Sequence, residues 1–176
     1  MLQIVLIIFV ALIVGVLLYA STKPDTFTVQ RSLTIHAPAD RLFSSINDFR
    51  VWHTWSPYEK LDTNMKKTFG GSANGTGATY LWEGNSKVGQ GQMEIIQSLF
   101  PTRVDMTIDF IKPFKDHGSI TFTLEPKDDL TTVTWSMSGK KTFVSKVICI
   151  FINIDAKLGK DFDTGLATLK TVSEKN

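Results

Sequence analysis

From Phe27 to His36 the sequence FTVQRSLTIH alternates. Phe27, Val29, Leu33 and Ile35 fall on one face, and Thr28, Gln30, Ser32 and Thr34 on the other. Successive side chains of an extended chain point to opposite sides, so this is a strand with one buried and one wet face. The alternation returns downstream. Val104, Met106, Ile108 and Phe110 oppose Arg103, Asp105, Thr107 and Asp109; Ile120, Phe122 and Leu124 oppose Thr121, Thr123 and Glu125; Val133, Trp135 and Met137 oppose Thr132, Thr134 and Ser136. ATYLWEG and GQMEIIQSLF read as further strands, and PFKDHG and PKDDL as turns between the later ones. Consecutive strands with short links make an antiparallel meander, whose apolar face some other element must cover.

Two helical regions supply that cover. In APADRLFSSINDFRVWHTW, Leu42 and Ile46 are four apart, and Phe49, Trp52 and Trp55 follow at three-residue steps, which predicts two short helices broken near Asp48. Pro38 suits a first helical turn, and Ser56-Pro57 ends the second helix because a residue before proline avoids the helical region. Near the C-terminus Ile154, Leu158, Phe162, Leu166, Leu169 and Val172 recur every three or four residues and predict one long amphipathic helix. Strand, two short helices, consecutive strands and a closing helix is the order of an α+β helix-grip fold, in which a curved antiparallel sheet of about six to seven strands bends around the last helix.

The first twenty residues, MLQIVLIIFVALIVGVLLYA, carry no charged side chain. As a helix they would be about 30 Å long, the thickness of a bilayer's hydrocarbon core. A cleaved secretory signal is the rival reading, but the basic start of one is missing, the apolar run is long, and Leu18-Tyr19-Ala20 is a poor cleavage signature. The expectation is a single-pass membrane protein. Residues 1–20 form a transmembrane helix, 21–26 a linker, 27–172 a ligand-binding domain and 173–176 a polar tail. Lys23 and Arg31 follow the span and no basic residue precedes it, which places the domain in the cytoplasm by the positive-inside rule.

Most familiar chemistry is missing. The net charge of +2 comes from interspersed charges with no basic stripe, so no nucleic-acid partner is expected. Cys149 is the only cysteine, and His36, His53 and His117 lie at no ligand-pairing spacing, so neither a metal nor a cofactor is expected. There is no GxSxG turn for a serine nucleophile. The glycine-rich GGSANGTG has no lysine after its glycines and no helix pattern behind it. Asn74-Gly75 makes it a hairpin turn and not a phosphate cradle.

The order of elements, WHTWSPY, the hairpin from GTGATYLWEGN to VGQGQMEI, and GKDFDTGLATLK together resemble the START-like superfamily called SRPBCC, and within it the polyketide cyclase/dehydrase and lipid-transport family. The resemblance runs from Phe27 to about Lys170 and implies a Bet v 1-like cavity between sheet and C-terminal helix for hydrophobic or amphipathic small molecules. On that fold Tyr80, Trp82, Met93, Ile95, Met106, Ile108, Phe110, Phe122, Trp135, Met137, Phe162 and Leu166 are the expected ligand-binding residues. Buried Trp and Tyr need partners for their N–H and O–H, and methionine suits an adaptable pocket. The first reading of function is therefore a membrane-tethered module that binds a hydrophobic or lipid-like molecule. An enzyme of the cyclase or hydrolase kind would use the same cavity, with His53 or Tyr80 moving a proton. A protein-interaction domain is a third reading.

The segment TFVSKVICIFINI, residues 142–154, is more apolar than a connector and carries one charge, Lys146. Two readings remain open. Phe143, Val147, Ile150 and Ile154 extend the core-facing stripe of the last helix, or Ile148, Phe151 and Ile152 enter the bilayer to which the N-terminus holds the domain.

Overall fold

A computed structural model describes residues 2–175. Met1 and Asn176, the ends of the expected span and tail, lie outside them. In chain order the elements are α1 (Leu2–Ser21), β1 (Thr26–Ile35), α2 (Ala39–Asn47), 3-10 helices at Phe49–Thr54 and Pro57–Lys60, β2 (Lys66–Gly71), β3 (Ala78–Glu83), β4 (Gln90–Leu99), β5 (Arg103–Lys112), β6 (Asp116–Lys127), β7 (Leu130–Lys140), α3 (Phe143–Phe151) and α4 (Ile154–Glu174). The strands form one antiparallel sheet in the order β1-β7-β6-β5-β4-β3-β2. This is the seven-stranded, Bet v 1-like helix-grip arrangement, with two irregularities in β4 that bend the sheet. The expected inward residues of β5, β6 and β7 are buried, save Phe110, which is half-buried at the sheet's edge of cover.

Aromatic packing and one ion cluster hold α4 against the sheet. Phe162 of α4 stacks on Trp135 of β7, with ring centroids 4.3 Å apart and planes 10° from parallel. Gly165, one turn on, admits the indole, because a Cβ there would lie 2.7 Å from Trp135 Cζ3. Towards the start of α4, Arg31 occupies the place between Val29 and Leu33 where the alternation of β1 called for an apolar residue. Its guanidinium bonds Asp155 Oδ2 at 2.9 Å and lies 3.6 Å from Asp163 Oδ2. It also crosses Gly159, where any side chain would collide with it.

Three expectations change in detail. The break at Asp48 is real, its Oδ1 accepting from Arg50 N, but the second short helix is a 3-10 helix. Its three residues per turn are what set Phe49, Trp52 and Trp55 on one buried face. On α4, Phe162, Leu166 and Leu169 are buried, whereas the stripe ends on Ser173 and leaves Val172 37% exposed, since a 3.6-residue period continues 162, 166, 169, 173. The 143–154 stripe does not run on into α4. Ile152 and Asn153 are extended, Asn153 caps a new helix by accepting from Ala156 N, and α3 packs against α1.

The contiguous core runs from Val29 to Leu169 and takes no residue from α1. Residues 22–175 therefore contain the whole of this contiguous core. Phe122 lies at its centre, fully buried against Trp52, Trp55 and Trp135. Phe122→Ala is expected to lower the stability of this domain by about 3–5 kcal/mol in urea denaturation. A loss below about 1 kcal/mol would mean that these rings are not close-packed.

Candidate functional site

The filled core does not extend through the whole grip. A cavity of about 170 Å³ remains between the inner face of the sheet from β3 to β7, the 3-10 helices and α4. Tyr80 and Trp82 of β3, Met93 of β4, Ile108 and Phe110 of β5, Trp135 and Met137 of β7 and Phe162 of α4 form its wall, joined by Trp52, Val88, Ile120 and Leu158. Alternation explains the strand part of the wall: β3, β5 and β7 each contribute two residues two apart and β4 and β6 one each, all from one face of the sheet. The half-buried Val88, Phe110 and Leu158 and the exposed Lys87 lie where the wall meets solvent.

One buried charge stands in this mostly apolar wall. The Glu59 side chain, from the second 3-10 helix, is only 7% exposed. Its Oε1 accepts from Tyr80 Oη at 2.8 Å, and its Oε2 pairs with Lys67 Nζ of β2. Burial, reinforced by the hydrogen bond to Glu59, pushes the Tyr80 phenol far above its ordinary range. Tyr80 is thus a fixed proton donor at any physiological pH. Burial likewise raises Tyr58, aided by the negative charge of Asp161. Trp52, Trp55 and Trp82 donate their indole N–H to backbone carbonyls of Ile46, Ser45 and Val88. Trp135 Nε1 is buried and has no partner among the described residues.

Residues 26–174 match the model of the family described as polyketide cyclase / dehydrase and lipid transport. The chain belongs to that family. No curated protein matches it. Among solved structures it is similar to a protein from Mesorhizobium loti (15% identity, 85% of this chain and 99% of that one, TM-score 0.63). A protein from Nitrosospira multiformis is similar at 22% identity over 85% and 97% of the two chains, with a TM-score of 0.59. Ara h 8.0201 is similar at 15% identity over 86% and 99%, also with a TM-score of 0.59. At these identities the likeness carries the START-like fold alone.

Within this member of the polyketide cyclase and lipid-transport family, the expected ligand-binding residues divide. Eight of them line the cavity: Tyr80, Trp82, Met93, Ile108, Phe110, Trp135, Met137 and Phe162. Ile95, Met106, Phe122 and Leu166 do not. They are fully buried in the core, where Phe122 meets the Trp52 and Trp55 rings. His53 is also absent from the cavity. It is exposed, and its Nδ1 donates to the Arg50 carbonyl 2.7 Å away, because a 3-10 helix that buries Trp52 turns the next residue outward. His117 pairs with Asp109 on the exposed side of β5 and β6. No cluster of metal-ligating groups occurs among the described residues.

Glu59, Ser56 and Tyr58 are wall residues that the alternation did not reveal. SPYEKL carries no period, and nothing in it separates a surface turn from a lid over a cavity. Tyr80→Phe removes one of the two partners of a nearly buried carboxylate and is expected to cost about 1–3 kcal/mol in thermal or urea unfolding. An unchanged stability would show that the Tyr80–Glu59 bond is not formed in solution.

Proposed function

We propose that this chain is a membrane-tethered binding module for a small hydrophobic or lipid-like molecule held between the sheet and α4. The observation that carries the reading is a cavity of about 170 Å³ with an almost wholly apolar, aromatic-rich wall in a domain otherwise filled with side chains. An engineered apolar cavity of about 150 Å³ binds benzene, so the space suits one ring or a short length of acyl chain, with the rest of a larger ligand at the mouth. The domain of residues 22–175 is expected to bind 4-fluorotoluene saturably in a fluorine NMR titration. Ile108→Trp or Met137→Trp, which fill the space from two different strands, should abolish binding while each protein keeps a cooperative unfolding transition. Absence of saturable binding by the unsubstituted domain would sink this reading.

The tether is α1. It is 20 residues long with a mean hydropathy of 3.0, and almost all of it is exposed. That surface is stable in water only if lipid covers it. Tyr19 and Lys23 sit at its end, the ammonium 4.1 Å from the ring centroid, a pairing suited to the headgroup region. The charges of Lys23 and Arg31 favour a cytoplasmic domain.

A second membrane contact follows from α3. It packs on α1, Lys146 pairs with Asp25 in the linker, and Phe143, Val144, Ile148, Phe151 and Ile152 are 44–73% exposed. Apolar side chains beside a membrane span are best covered by the same bilayer, and tethering raises their effective concentration there. Residues 22–175 are expected to float with phosphatidylcholine–phosphatidylglycerol liposomes. Ile148→Asp combined with Phe151→Asp should leave the domain folded but in the bottom fraction. Equal behaviour of the two proteins would remove α3 from the membrane contact.

A further inference from the structure

Glu59 places a carboxylate that is only 7% exposed in a mostly apolar wall. Burying a carboxylate in an aromatic wall is costly, and an apolar residue of similar size would fill the same place without that cost. Lys67 balances its charge and Tyr80 Oη donates to it, which leaves each carboxylate oxygen further acceptor capacity. Nearby wall positions add polar groups. Ser56, 2% exposed, lines the same cavity, and Trp135 Nε1 is buried with no partner among the described residues. The cavity is thus apolar over most of its wall and hydrogen-bonding at one place.

We infer that Glu59 is the anchor for the polar end of the cavity's occupant, and that this end is a neutral hydrogen-bond donor, a hydroxyl on an otherwise apolar ring or chain. The inference rests on the cavity being a ligand site, as proposed above, and names the class of ligand. An anionic head, such as a fatty-acid carboxylate, is an acceptor only and has no proton to give the Glu59 oxygens. A cationic head finds a charge already balanced by Lys67. Tyr80 keeps its proton and spends it on Glu59, so the hydroxyl of the ligand donates and does not have to compete as an acceptor. A donor placed on a charged acceptor away from water gives the discrimination, because an analogue without the donor leaves the site's polar group unserved.

Four probes of one ring size separate the possibilities by fluorine NMR titration of residues 22–175. These are 4-fluorotoluene, 4-fluorophenol, 4-fluoroanisole, which has the oxygen but no donor, and 4-fluorobenzoate. 4-Fluorophenol is expected to bind about tenfold more tightly than the toluene and the anisole, and the benzoate more weakly than either. Glu59→Gln should reduce the phenol-to-anisole preference to about twofold or less. If Glu59→Gln does not fold, the phenol-to-anisole ratio of the unsubstituted domain still decides. Toluene binding without a phenol preference, or a folded Glu59→Gln that retains the preference, overturns the anchor and leaves the cavity reading standing. No saturable binding of any probe overturns both.

Discussion

The contact between Trp135 and Phe162 sets the geometry of the grip. A near-parallel ring pair at 4.3 Å fixes the distance between β7 and α4. A stack this close is possible only because Gly165 presents no side chain to the indole. Arg31, clasping Asp155 and Asp163 across Gly159, fixes the other end of the same helix. With both points set, α4 cannot sink further into the sheet. Whatever volume the remaining side chains fail to fill stays as cavity.

That volume is unevenly shared. Beneath α2 and the first 3-10 helix, the Trp52, Trp55, Phe122 and Trp135 rings meet edge to face or tilted and fill the space. In the cavity wall the Tyr80 and Trp82 rings of β3 lie stacked along the strand, 6.0 Å apart. Glu59 enters from the side and is held there by residues of two neighbouring strands. The result is a wall with a single hydrogen-bonding place, which is how a mainly apolar pocket gains orientation as well as affinity.

The N-terminal side of the molecule has a different logic. α1 adds no residue to the contiguous core, though its Ala20 is buried, and α3, inserted between the last strand and α4, packs against it. Lys146 is nearly buried in an otherwise apolar short helix, and its pairing with Asp25 ties α3 to the linker that follows α1. One contact therefore couples the position of α1 to the segment that leads directly into the gripping helix. In the proposed membrane setting, the exposed apolar side chains of α3 and the anchor face the same phase.

The sequence alone determined the periodic parts of this protein: the strand faces of β1, β5, β6 and β7, the stripe of α4, the hairpin at Asn74-Gly75 and the apolar run of α1, because a regular element imposes its repeat on its own residues. It did not reveal β2, whose KKTFGG lies mostly exposed and shows no alternation, nor the split between α3 and α4, where an apolar pattern continues across a break made by backbone and cap. Of the wall residues it singled out Phe162 on α4 and those on strand faces other than Ile120, and it passed over Leu158. It could not separate Ile95, Met106, Phe122 and Leu166 from them, since core-filling and cavity-lining residues share one face and one chemistry. Only the tertiary structure decided which of them line the cavity. It also turned His53 outward and brought Glu59, Lys67 and Tyr80 together from three elements, because a meeting of residues 8 and 21 positions apart depends on how the sheet curves and leaves no period in the chain.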